Sequence, residues 1–106
     1  MSRIETLQTY LQENPKDSFL KHALALEWIK IGKDGEARLL FEELLQADPA
    51  YVGSYYHLGK LLERQDLFDE AIAVYKKGME EAEKIKDRHS YNELQAACED
   101  IDDSTF

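Results

Sequence analysis

Three histidines, one cysteine and several adjacent acid pairs are the side chains of this 106-residue chain with chemistry to offer. His22, His57 and His89 could ligate a metal or move protons, but they are scattered along the chain and form no ligand cluster. Surface histidines are the plainer reading. A nucleophilic thiolate needs positive charge beside it, whereas Cys98 follows Ala96 and Ala97 and precedes Glu99 and Asp100, which suits a half-buried helix residue. The acid pairs Glu42-Glu43, Asp69-Glu70, Glu80-Glu81 and Glu99-Asp100 are consecutive residues, so on a helix they point to different sides and cannot share a proton or a metal. The run from Glu99 to Asp103 lacks the glycine that turns a calcium loop. No phosphate-cradling loop, HExxH helix, CxxC pair or GxSxG turn occurs. The expectation is a non-enzyme that uses no metal and no cofactor.

Charge narrows the partners. With 13 basic and 22 acidic side chains the formal charge is −9, which repels phosphate backbones and anionic lipid, so neither nucleic acid nor membrane is an expected partner. A lone cysteine makes no internal disulfide, and Met1 to Gln12 has no apolar run that would read as a leader or a span. The expected compartment is the cytoplasm. Hydrophobic residues at 43%, with only two prolines and five glycines, suit one globular, all-helical domain.

Helical spacing and breakers divide the chain into six helices. Ser2-Arg3-Ile4-Glu5 fits a capping box, Ile4, Leu7 and Leu11 share a stripe, and Asn14-Pro15 ends that first helix. Leu20, Leu24, Trp28 and Ile31 form the face of a second helix, which Gly32 stops by entering the left-handed region. Asp34 is expected to cap a third, from Gly35 to Ala47, with Ala37, Leu40, Phe41 and Leu44 inward. After Asp48-Pro49 a fourth helix, Val52 to Arg64, carries Tyr55, Leu58, Gly59 and Leu62 on its packing face. A fifth starts near Phe68 and, with no proline to stop it, overruns; Glu80 pairs with Lys84 on its exposed side. A sixth, His89 to Asp100, presents Tyr91, Leu94, Cys98 and Ile101.

Two of these helical pairs repeat. Leu24-Ala25 recurs 34 residues on as Leu58-Gly59, Trp28 as Leu62, Ala37 as Ala71 and Phe41 as Tyr75. The pattern resembles the tetratricopeptide repeat: Leu24-Ala25-x2-Trp28, Ala37-x3-Phe41 and Pro49 in one copy, Tyr55-x2-Leu58-Gly59-x2-Leu62 and Ala71-x3-Tyr75 in the other. Lys21 stands in a slot the family fills with an aromatic, and Glu83 where proline is usual. The resemblance implies a small bacterial-type protein, all-α, with antiparallel helix-turn-helix repeats stacked as a short right-handed solenoid. Its division would be a single domain over 1–101, made of an N-terminal cap at 2–15, repeats at 18–51 and 52–85 and a C-terminal cap at 88–101, followed by a flexible acidic tail at 102–106.

In this family the first helix of each repeat lines a concave groove that receives a peptide or helix of a partner protein. The positions left over from the packing stripes would face that groove: Phe19, His22, Leu26, Ile29 and Lys30 from the first repeat, Gly53, Tyr56, Lys60, Glu63 and Arg64 from the second. The lysine and asparagine clamp by which some members hold a chaperone tail is not reproduced, since the matching slots hold His22 and Leu26, then Tyr56 and Lys60. The resemblance thus implies an adaptor for another protein. The alternative is a self-associating building block, a homodimer through the groove or a stack edge.

Overall fold

The computed structural model describes residues 2–104, with side chains through Ile101. The described residues form six helices: α1 Arg3–Glu13, α2 Ser18–Lys30, α3 Asp34–Ala47, α4 Gly53–Arg64, α5 Phe68–Lys84 and α6 Arg88–Ser104. The described residues contain no strand. They group into two compact units, Met1–Asp48 holding α1 to α3 and Pro49–Phe106 holding α4 to α6. The division falls at Asp48-Pro49, where proline forbids helical continuation.

In the first unit, Ser2 caps α1 by accepting the Glu5 N–H at 3.1 Å. The Glu5 carboxylate accepts from the Ser2 hydroxyl, at 3.3 Å, so the reciprocal half of the box forms between side chains. Asp17 caps α2 through the Leu20 N–H at 3.0 Å. The Ser18 hydroxyl donates to Asp48 at 2.6 Å, tying the start of α2 to the end of α3 and fixing them as an antiparallel hairpin. Leu7, Ala23 and Leu24 are buried, with Ile4, Leu11, Leu20, Trp28 and Leu40 packed around them.

The turn after α2 joins the two elements with three residues. Gly32 takes φ 79°, the Lys33 N–H reaches Trp28 O at 2.8 Å and the Gly32 N–H reaches Ile29 O at 3.0 Å, which together form a Schellman closure. Lys33 therefore ends one helix and caps the next, and α3 starts at Asp34 instead of Gly35. Asp34 is not the cap that the sequence suggests; it lies inside the first turn, where its charge faces the positive end of the helix dipole.

The second unit reuses the same turn 34 residues on. Asp66 takes φ 61°, the Leu67 N–H meets Leu62 O at 2.9 Å, and Leu67 shares the φ −98°, ψ 65° of Lys33. A third closure ends α5, with Lys86 at φ 59° and the Asp87 N–H on Ala82 O at 2.9 Å. The fifth helix has 17 residues against 14 in α3, the overrun expected where proline is missing. Its cations do not pair as the pattern suggested: Lys84 turns to Glu81 at 3.0 Å and not to Glu80, while Lys77 reaches Glu81 at 3.1 Å and Glu80 at 4.0 Å. Those ammoniums hold the nearly buried Glu81 carboxyl below the ordinary range, Lys84 first.

Two glycines let the helices of this unit touch. A Cβ on Gly59 would lie 2.1 Å from the ring of Tyr75, and one on Gly78 would meet Tyr55 at 2.7 Å and Leu94 at 2.8 Å. Hence α4 and α5 run antiparallel in contact, and α6 packs along α5 through Leu94, Ala97, Cys98 and Ile101. Cys98 is buried and forms no disulfide. The buried Ile101 keeps the helix going past Asp100, and the N–H groups of the next turn close the carbonyls before it, so residues 102–104 continue α6 instead of starting a tail. Thr105 and Phe106, the rest of that expected tail, lie outside the described residues.

Candidate functional site

The face of α4 gathers three of the expected groove residues. Tyr56, Lys60 and Glu63 are each partly exposed on successive turns. The Lys60 ammonium stands 5.6 Å from the centre of the Tyr56 ring and 3.5 Å from a Glu63 oxygen. Glu63 also accepts the hydroxyl proton of Tyr75, whose ring is fully buried. Burial, and then the Glu63 hydrogen bond and charge, push the Tyr75 phenol far above its ordinary range, so it stays a donor at every physiological pH. A continuous line thus runs from the core outward: Tyr75 holds Glu63, Glu63 draws Lys60, and Lys60 covers Tyr56. Tyr56 also meets the edge of His57, with centroids 5.7 Å apart at 85°. Burial holds His57 below the ordinary imidazole range, against the pull of Glu93 and with the help of Arg64. Arg64 and Gly53 are exposed at the two ends of this helix.

In the first unit, α2 presents Phe19, 62% exposed, and Lys30, also exposed. His22, Leu26 and Ile29 between them are partly covered, and His22 lies edge-on to Phe41 with centroids 5.9 Å apart. Lys30 reaches Glu27 at 3.2 Å, and Glu27 takes Arg3 of α1 at 2.8 Å. Partial burial opposes ionisation of Glu27, but the hydrogen bonds from Lys30 and Arg3 outweigh it and the carboxyl lies below its usual range. Phe19 to Lys30 therefore form an apolar stripe ended by an ion-paired cluster, unlike the aromatic and charged face of α4.

The adjacent acids behave as separate groups: Glu42 pairs with Arg38 at 3.2 Å while Glu43 pairs with Lys21 at 3.4 Å. Among the described residues, no three His, Cys, Asp or Glu side chains gather as a metal set. Nor is any helix there long and apolar enough to cross a membrane. The residues that sequence reasoning missed are Glu27, Tyr75 as the anchor of Glu63, and the buried Lys21. Only the last leaves a signal in the sequence, as a cation in an aromatic slot.

A family model described as Tetratricopeptide repeat matches residues 32–98, more than half of the chain. The chain belongs to the tetratricopeptide repeat family. Among solved structures it is similar to a tetratricopeptide repeat domain protein of Salinibacter ruber, with 46% identity, a TM-score of 0.79 and coverage of 82% of this chain and 88% of that one. The type III secretion translocator chaperone SycD of Yersinia enterocolitica superposes with a TM-score of 0.86 over 96% of this chain and 71% of its own, but at 14% identity the likeness is one of fold alone. A curated relative, the human aspartyl/asparaginyl beta-hydroxylase, is 33% identical over 75 residues, 71% of this chain. The chain spans about a tenth of the length of that enzyme. The tetratricopeptide fold is that of a protein-interaction module, and the repeat turns at Gly32 and Asp66 and the close contact at Gly59 are its local signature here.

Proposed function

We propose that this chain is a non-catalytic, cytoplasmic interaction module whose α4 face, Tyr56 with Lys60 and Glu63, grips a peptide or helical segment of another protein. The observation that carries this reading is the pre-arranged Tyr56–Lys60 stack, held from below by Glu63 and the buried Tyr75. Side chains already held in place lose little freedom on binding, and that loss is a main cost of association. Tyrosine is also over-represented among residues that dominate binding energy. Arg64 extends the face and favours a partner with acidic residues. The stripe Phe19, His22, Leu26 and Ile29, ending at Lys30, offers the first unit a second, more apolar surface for a protein partner. A single buried thiol that needs no oxidising compartment agrees with the cytoplasm.

The test is a pull-down from extract of the source cells with the wild-type chain and with Tyr56→Ala/Lys60→Glu. The double variant should keep its helicity and lose the captured protein. Capture by both alike would move the function off α4. A second reading, self-association, is favoured by Phe19, a large apolar side chain left 62% exposed. Light scattering over a concentration range decides it: a mass that doubles with concentration, and no longer does so in Phe19→Ser, supports the dimer.

A further inference from the structure

The first unit contains a cleft of about 520 Å³ bounded by α1, α2 and α3, with neither Phe19 nor Lys30 in its lining. Leu11, Leu24 and Leu40 give it apolar walls, Gln12 an amide at the rim, and Lys21 and Glu43 a cation and an anion. Lys21 is the unusual member. It is 6% exposed, in a slot whose counterpart 34 residues on is Tyr55, with a hydroxyl satisfied by Pro49 O at 2.7 Å. Its stem is covered, and the residue lines the open cleft, where an anion can reach the ammonium. Among the described residues, its one ion pair is with Glu43 at 3.4 Å, and that side chain is 65% exposed. A solvated carboxylate at that distance holds a cation weakly and is readily displaced by another anion.

We propose that this cleft binds a segment of a partner protein that places a carboxylate beside a branched aliphatic side chain. The carboxylate sits on Lys21 in place of Glu43, and the aliphatic group lies against Leu11, Leu24 and Leu40. Glu43 is then a built-in competitor: it occupies the ammonium when the cleft is empty and swings into solvent when the ligand arrives. The charge of the cleft selects the ligand, since a neutral apolar group would bury Lys21 without a counter-charge. This site is independent of the α4 face and stands or falls separately from it.

The full ¹⁵N-labelled chain is titrated with N-acetyl-leucine, which carries both features, and in parallel with N-acetyl-leucinamide, which lacks the charge. The acid should shift the amides of Gln12, Lys21, Leu24 and Leu40 in a saturable way and bind about tenfold more tightly than the amide, the worth of one charge-assisted hydrogen bond. Lys21→Met should abolish the preference for the acid, and Glu43→Gln should strengthen binding of the acid several-fold because the competitor is gone. A merely structural Lys21–Glu43 pair predicts no gain from Glu43→Gln. Equal binding of acid and amide, shifts only outside the cleft, or weaker binding by Glu43→Gln would each overturn the proposal. If Lys21→Met fails to fold, the Glu43→Gln titration decides alone.

Discussion

Replacing Gly59 by alanine tests the packing on which the α4 face rests. The added Cβ would lie 2.1 Å from Cε1, 2.5 Å from Cζ and 2.7 Å from Cδ1 of Tyr75, where carbon contacts rest near about 3.5 to 4.0 Å. The ring cannot slide away, because it is fully buried and its hydroxyl is bound to Glu63. Overpacking of this kind costs about 1 to 3 kcal/mol, and a clash with three ring atoms falls at the upper end. Alanine regains about 1 kcal/mol of helix propensity. The net expectation is a loss of about 2 kcal/mol, or roughly 10 °C in midpoint for a domain of this size. Urea unfolding followed by circular dichroism measures it, with an unchanged slope showing that the effect is on stability. Ala25→Gly, at the matching place in the first unit, should also destabilise, by about 1 kcal/mol of helix propensity and further by the loss of a fully buried methyl. Gly35→Ala, whose Cβ meets nothing within 4 Å, should be neutral or stabilising. A Gly59→Ala protein as stable as the wild type would refute the contact between α4 and α5 as described.

Lys86→Gly should raise stability by about 1 kcal/mol in the same urea assay, because a left-handed lysine is strained where glycine is not; Asp66→Gly should gain less, since a short polar side chain tolerates that region better. Asp87 accepts the Ser90 hydroxyl at 2.7 Å and the Ser90 N–H at 3.1 Å, bonds that depress its carboxyl. The unfolded chain therefore takes up that proton first, so the stability these bonds supply is present above the ordinary carboxylate range and is lost as pH falls through it; Asp87→Asn should flatten this part of the pH profile of the thermal midpoint. His57, depressed by burial, adds an earlier loss of stability as pH drops below the ordinary imidazole range, and His57→Gln should remove it. Tyr75→Phe should keep the fold yet release Glu63, weakening capture of the partner without touching Tyr56.

The repeat was legible because its determinants are local or strictly spaced. Gly32 announces a left-handed turn by its type, Gly59 announces a close approach, and the pairs 34 residues apart align both with the helices that form. Asp34 misled because the turn is so short that Lys33 serves as both stop and start. Ser54 and Leu61 are buried although neither belongs to the stripe of Tyr55, Leu58 and Leu62, because α4 has neighbours on more than one side in its unit, α5 and α6. The support of the α4 face was invisible for another reason. Glu63 looks like any exposed acid until α5 brings Tyr75 beneath it, a contact that the spacing of residues does not encode. Lys21 carried a readable anomaly, but its cleft exists only once α1, α2 and α3 are assembled.

The claim that α4 is the partner-binding face is tested most directly by placing a photo-reactive benzoyl-phenylalanine at position 56 in the source cells, with the same residue at Leu39, 67% exposed on α3, as the control. Irradiation should join one discrete partner to position 56 and not to position 39, and Lys60→Glu in the same chain should remove that product. A partner captured through position 39 alone, or a position-56 product that survives Lys60→Glu, would contradict the account.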